Sequence, residues 1–233
     1  MNNQTVFQRR EIKYILTKQQ KNEIKILMDD YMGKDEHGRS TICNVYFDTP
    51  NYLLIRRSIE KPVYKEKFRI RSYGIATPDS EVFVELKRKH KSIVYKRRIS
   101  LNEEDAMKYT TNKSGLVKNN QISREIDYFL SIYDGLNPKV FLSYEREAFY
   151  AKNDHNLRVT FDENILWRDY DLSLCDGIYG NDILPEDVAL MEIKTAVAIP
   201  LWMTRILTKY KLYKTSFSKY GNAYKQILLM KGA

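Results

Sequence analysis

Cysteine and histidine are scarce in this chain of 233 residues, with two of the first and three of the second. Cys43 and Cys175 form neither a disulfide framework nor a metal-ligand spacing, which excludes a disulfide scaffold and a cysteine-ligated zinc site. His37, His90 and His155 are isolated, so no Ser-His-Asp arrangement can be argued. A GxxxxGK[ST] phosphate loop, a GxGxxG behind a strand and a CxxC pair are missing too. No apolar run approaches the ~18–20 residues of a membrane span, and Met1-Asn2-Asn3-Gln4 opens without an apolar signal core. A reducing, cytoplasmic compartment is therefore expected, at most peripheral at the inner face of a membrane. No linker, repeat or low-complexity segment interrupts the sequence, so residues 1–233 are expected to form a single domain.

What the chain does have is positive charge. Lys and Arg number 39 against 30 Asp and Glu, a formal net charge of +9. That balance favours a polyanionic partner: nucleic acid, anionic lipid or polyphosphate. Hydrophobic residues at 43% leave ample material for a core, and 18 tyrosines tilt the expectation towards sheet.

The charge is patterned with a period of two, and residues two apart share one face of a strand. In Lys65-Glu66-Lys67-Phe68-Arg69-Ile70-Arg71 the cations take one face, with Phe68 and Ile70 on the other. Glu85 and Lys87 oppose Val82, Val84 and Leu86, while Lys96 and Arg98 oppose Ile93, Ile99 and Leu101. Arg158, Thr160 and Asp162 alternate with Leu157, Val159 and Phe161.

Strands are predicted over 8–16, 42–47, 63–73, 81–90, 92–101, 139–150, 156–162, 164–168 and 188–195. Those between 63 and 101 have short connections, as in an antiparallel meander. Thr17-Lys18-Gln19-Gln20 has capping-box form ahead of Ile24, Leu27, Met28 and Tyr31 at helical spacing. That helix should stop near Gly33, with 34–40 a polar turn and Asp48-Thr49-Pro50-Asn51 another. Further helices are expected from Asn102, over 122–134, over 201–212 and over 218–230. The fold class is α+β.

An antiparallel sheet often turns one face to water, and a merely wet face is the plainest reading of each strand alone. A wet face normally mixes Thr, Ser and Gln with its charges. Here Lys13, Lys65, Lys67, Arg69, Arg71, Lys87, Lys96, Arg98, Arg146, Arg158 and Lys194 hold the same-side positions, interspersed with Glu11, Asp48, Glu85, Asp162 and Glu192. If about eight strands curl into a closed barrel, these cations line an interior that only a polyanion or the few carboxylates can neutralise. Arginine would grip phosphate oxygens in pairs, and carboxylates would take Mg²⁺ or Mn²⁺ bridging to phosphates.

Nine short stretches occur in an order that resembles one family. They are Arg10-Glu11-Ile12-Lys13-Tyr14, Tyr46-Phe47-Asp48-Thr49, Arg69-Ile70-Arg71-Ser72-Tyr73-Gly74, Glu85-Leu86-Lys87, Lys96-Arg97-Arg98, Tyr144-Glu145-Arg146, Arg158-Val159-Thr160-Phe161-Asp162, Glu192-Ile193-Lys194 and Ser216-Phe217-Ser218-Lys219-Tyr220. The series is similar to the VTC domain, the polyphosphate polymerase domain of the triphosphate tunnel metalloenzymes. The resemblance implies a closed antiparallel β-barrel forming a tunnel, flanked by α-helices. It implies ATP-dependent synthesis of inorganic polyphosphate with a divalent metal, Mn²⁺ or Mg²⁺.

Carried over position by position, Arg69, Arg71, Lys87, Arg146 and Arg158 are expected in catalysis. Lys13, Tyr144, Lys194, Ser218 and Lys219 are expected to bind substrate, as is Lys96 or Arg98, which strand parity does not separate. Glu192 is the expected metal ligand. ATP and polyphosphate are the expected partners, nucleic acid is disfavoured, and the family's attachment to membrane helices in eukaryotes makes a separate membrane protein a further expected partner.

Related triphosphatases and class IV adenylate cyclases begin with ExExK. Arg9 stands at the first Glu position here, with Glu11 and Lys13 after it, which favours the polymerase branch. Two rivals remain open: a tripolyphosphate or nucleoside triphosphate hydrolase on the same fold, and a non-catalytic module for polyphosphate or nucleic acid.

Overall fold

The computed structural model describes residues 6–7, 10–60, 62–91, 93–112, 120–154 and 156–232. Arg9, the His37 side chain and His155 lie outside the described residues. In chain order the elements are β1 (Val6–Phe7), β2 (Arg10–Thr17), α1 (Lys18–Met28), β3 (Met32–Asp48), α2 (Leu53–Ile59), β4 (Tyr64–Tyr73), β5 (Glu81–His90) and β6 (Ile93–Asn102). There follow α3 (Glu103–Asn112), α4 (Gln121–Ile132), β7 (Asn137–Ala151), β8 (Arg158–Arg168), β9 (Asn181–Asp182), β10 (Val188–Thr195), α5 (Leu201–Lys209) and α6 (Lys219–Gly232).

All ten strands join one sheet in the order β1-β6-β5-β4-β3-β7-β8-β10-β2, with β9 added beside β8. The closed barrel expected from the sequence is corrected here: the hydrogen-bonded path is open among the described residues, ending in β1 and β2. The segment leaves β6 after two paired residues and then pairs with β10 over Arg10–Thr17, so no ladder joins the two edges. The sheet nevertheless curls strongly. Six strand spacings separate β5 from β2, about 29 Å in a flat sheet. Lys87 Nζ of β5 lies only 3.6 Å from Glu11 Oε2 of β2.

Three apolar clusters organise the curl. Phe68, Ile70, Val82, Val84 and Leu86 pack outward against Ala106 and Tyr109 of α3 and Ile126, Phe129 and Leu130 of α4. On the opposite flank Tyr14, Leu16, Val159, Phe161, Met191 and Ile193 meet Ile24 and Met28 of α1 and Met203, Ile206 and Leu207 of α5. The third cluster lies on the concave side. There Tyr46, Leu142, Tyr144 and Leu190 pack with Ile55 of α2 and Tyr220, Ala223, Tyr224 and Ile227 of α6. Leu190, Glu192 and Lys194 share one face of β10. The interior thus changes along the strand from an apolar end filled by α2 and α6 to an ionic stretch.

Local chemistry explains where the elements depart from sequence periodicity. The Thr17 capping box forms as expected, with Gln20 N–H donating to Thr17 Oγ1 at 3.1 Å and Thr17 N–H to Gln20 Oε1 at 3.0 Å. Residues 34–40, expected as a turn, instead continue β3, because the β7 backbone pairs with them across a register shift between Lys34 and Arg39. The two strands expected at 156–162 and 164–168 are one, β8, bent at Asn164 with φ 48°. Helix α2 lies between the strands predicted at 42–47 and 63–73, where no helix is expected. Asp48 nucleates it by accepting the Leu54 and Ile55 N–H groups at 2.8 and 3.0 Å.

Candidate active site

The ionic stretch is built around carboxylates that collect cations. Glu85 on β5 is 2% exposed and stands opposite Arg69 of β4 and Arg98 of β6 in the strand registers. Arg69 donates to its Oε2 through Nε at 2.9 Å and Nη2 at 2.7 Å. Arg98 Nε and Lys96 Nζ reach Oε1 at 2.7 and 2.8 Å, and Arg71 Nε stands 4.0 Å away. Burial would raise the Glu85 pKa, but Arg69, Arg71, Lys96 and Arg98 hold it well below the ordinary carboxylate value. Lys96 and Arg98, which parity left unseparated, both occupy this hub.

A second hub forms at Asp162 of β8, which is fully buried. Arg146 of β7 stands opposite it in register and donates through Nε and Nη2 at 2.6 and 2.7 Å. Lys219, at the start of α6, donates to Oδ2. Despite burial, Arg146 and Lys219 keep the Asp162 carboxyl well below its usual range. Tyr144 links the two hubs. Its hydroxyl accepts from Arg71 Nη2 at 3.2 Å, and its ring lies beneath Arg146 and Lys219. Burial would raise the phenol pKa, yet Arg146, Arg71 and Lys219 lower it to about 8.

The third group gathers at β2 and β10. Glu11 is 3.2 Å from Lys13 and 3.6 Å from Lys87, and Glu192 is 3.1 Å from Lys194. Glu192 also lies within side-chain hydrogen-bonding reach of Glu11, whose carboxyl stays well below its usual pKa against burial because of Lys87, Lys13 and Lys194. Ser218 accepts a hydrogen bond from Lys67 Nζ at 3.0 Å.

Arg158 lies 3.7 Å from Asp35 and over the Tyr150 ring, although it stands opposite Lys194 in the strand register. Lys65 donates to Ser58 O at 3.4 Å and remains near enough to Lys67 to act on its ammonium. Asp48 is committed to α2 and to the Tyr220 hydroxyl at 2.9 Å, so it is no metal candidate. Five residues at the site carry no role expected from the sequence: Glu11, Lys67, Glu85, Asp162 and Asn44, whose Oδ1 accepts from Arg71 Nε at 2.9 Å. Strand parity had already placed Lys67 beside Arg69. Nothing in the sequence marks Asn44 beyond its position on β3.

No cluster of three or more His, Cys, Asp or Glu suited to a metal ion occurs among the described residues. Glu85 and Asp162 are consumed by bidentate arginines, which leaves Glu11 and Glu192 as the pair able to hold a cation. Lys13, Lys87 and Lys194 engage these two carboxylates, whose oxygens are of the kind that would suit Mg²⁺ or Mn²⁺.

Solved structures with the same fold include a candidate adenylate cyclase from Bacillus halodurans, with TM-score 0.57 at 14% identity over 92% of this chain and 96% of that one. A second is a candidate adenylyl cyclase from Hippeastrum described as having a dominant triphosphatase activity, with TM-score 0.52 at 15% identity over 90% and 92% of the two chains. A third comes from Vibrio parahaemolyticus, also described as a candidate adenylate cyclase, with TM-score 0.51 at 12% identity over 94% and 97%. A search of curated proteins finds no match. The chain belongs to the VTC domain family, which matches residues 8–228. No helix among the described residues is long and apolar enough to cross a membrane.

Proposed function

We propose that the ionic stretch binds the triphosphate of ATP and that the chain is a polyphosphate polymerase, passing the γ-phosphoryl group to a growing chain. The observation that carries this is the surplus of interior cations. Lys13, Lys67, Arg69, Arg71, Lys87, Lys96, Arg98, Arg146, Lys194 and Lys219 outnumber Glu11, Glu85, Asp162 and Glu192 more than two to one. The surplus adds to a cost of burial at Lys96: burial first, with Arg98 and Arg69 behind it, outweighs Glu85 and pushes the ammonium down to about 8. A polyanion relieves it.

Glu85 and Asp162 fix the guanidinium groups of Arg69 and Arg146 before substrate arrives, so their donors need no reorganisation. Arg71, held between Asn44 and Tyr144, adds a third oriented guanidinium. An oxyanion of the acceptor's terminal phosphate attacks the γ-phosphorus in line, the bond to the β–γ bridging oxygen breaks, and ADP departs with that electron pair. The attacking oxygen is already ionised, so no general base is called for, and positioning with charge stabilisation carries the reaction. Glu192 and Glu11 would hold a divalent metal, whose contribution is to neutralise phosphate charge. Arg158, on its own ion pair, would meet the entering or leaving polymer.

Purified protein incubated with ATP and Mn²⁺, with products sized by electrophoresis, tests the reading. Polymer and ADP are expected. Orthophosphate without polymer selects the triphosphatase instead, and a bound but unchanged nucleotide selects the binding module.

A further inference from the structure

Among the described interior cations, each has a carboxylate within ion-pair reach except Lys67. Its Nζ contacts a neutral group, Ser218 Oγ, at 3.0 Å. Lys67 stands directly opposite Lys87 in the β4–β5 register, a like-charge pairing that ordinarily disfavours a sheet. The groups facing it are Lys13 and Glu11 from β2, Lys87 from β5, Lys65 from its own strand, and Ser218 before α6. Glu11 is already engaged by Lys13 and Lys87.

The segment before α6 completes the arrangement. Lys13 Nζ donates to Phe217 O at 2.9 Å, and Thr215 bridges to Lys13 through the backbone. Ser218 Oγ accepts the Gly221 N–H at 3.2 Å, so the positive end of a 14-residue helix points at the same place. Burial first, then Lys13, Lys87 and Lys65, push the Lys67 ammonium down to about 7. Three converging ammonium groups with Glu11 as their single carboxylate, a helix N-terminus and a hydroxyl suit concentrated negative charge.

We propose that Lys67, seated with Lys13, Lys87 and Ser218, is the specificity-determining cation that receives the terminal phosphoryl group of a linear triphosphate or polyphosphate. The inference deepens the proposed function and rests on it. A terminal phosphoryl group carries about two negative charges near neutral pH, and an internal one carries a single charge. A cluster of three lysines sharing one carboxylate therefore favours chain ends over chain interiors. Filling the site also restores the charge on Lys67, so binding draws a proton from solution.

The test uses two inorganic probes in the presence of a chelator: linear tripolyphosphate, and cyclic trimetaphosphate, which has three phosphorus atoms and no end. Titration calorimetry in two buffers of different ionisation enthalpy gives affinity and protons exchanged. Wild type is expected to prefer the linear probe. Lys67→Met is expected to weaken the linear probe about tenfold or more, leave the cyclic one little changed, and take up fewer protons than wild type. Lys67→Arg keeps a permanent charge and should preserve the preference while losing the extra proton, a split that a merely structural role does not produce. Equal binding of both probes by wild type, or an unchanged preference and proton count in a folded Lys67→Met, overturns the proposal. Because no turnover is involved, tight binding without dependence on Lys67 refutes this inference alone, whereas failure of wild type to bind tripolyphosphate removes the proposed function as well.

Discussion

Arg146 and Asp162 face each other across the β7–β8 ladder and are joined by two hydrogen bonds, of 2.6 and 2.7 Å, at a place where Asp162 has no exposed surface. Lys219 shares the same carboxylate from the start of α6. The pair fixes a guanidinium in the interior before any phosphate enters. Removing the acid would leave two buried cations without an anion. Asp162→Ala is expected to cost about 3–5 kcal/mol of stability, read by chemical denaturation. Tripolyphosphate should raise the melting temperature of this variant more than that of wild type, since it supplies the missing negative charge. An equal or smaller rise would show that phosphate does not reach Arg146.

Arg71 and Glu192 separate two contributions to the proposed reaction. Arg71→Ala deprives Asn44 Oδ1 and the Tyr144 hydroxyl of their donor, so polymer synthesis should stop and stability should fall by about 1–3 kcal/mol. Glu192→Ala should also stop synthesis from ATP and Mn²⁺, while leaving metal-free tripolyphosphate binding close to wild type. Near-normal polymer yield from either variant contradicts these roles.

Ionic contacts between a polyanion and an accessible interior weaken with screening. The dissociation constant for tripolyphosphate should rise steadily as ionic strength increases from about 0.05 to 0.5 M, where the Debye length shrinks from above 10 Å to well below 8 Å. Fluorescence or calorimetric titration across that range checks it. A constant affinity would mean that neutral hydrogen bonds, rather than the lysines and arginines, hold the ligand.

Strand parity made the ionic face legible: Lys67, Arg69 and Arg71 on β4, Glu85 and Lys87 on β5, and Lys96 and Arg98 on β6 share it, as period two demands. Parity is silent about which partner a charge chooses. Arg158 keeps the register position of an interior residue beside Lys194, yet its long side chain goes to Asp35 and Tyr150. Asp48 was equally ambiguous, because its role depends on helix α2, whose seven residues are too few for a periodic signal. The 34–40 stretch carries no alternating pattern because β7, far away in sequence, imposes its extended form. The open path of the sheet was hidden for a similar reason: which strand pairs with Val6–Phe7 is a long-range choice.

A final prediction concerns acid stability and lies outside the site. On the outer face of β7, Glu147 accepts hydrogen bonds from Lys21 at 2.8 Å and Lys25 at 2.6 Å, both from α1. Burial alone would raise its pKa, but the two lysines lower it from 4.5 to about 2. A carboxyl with a depressed folded-state pKa binds more protons when unfolded, so its stabilising contribution is complete above the unfolded value near 4.5 and disappears as pH falls through about 2. Glu147→Gln removes that titration, while Lys21 keeps Glu163 at 2.8 Å. Melting temperatures measured between pH 7 and 2 should therefore show wild type above the variant at neutral pH, with the gap closing from about pH 4.5 downward. A gap that stays constant through this range would mean that the α1 lysines do not anchor the helix through the charge of Glu147.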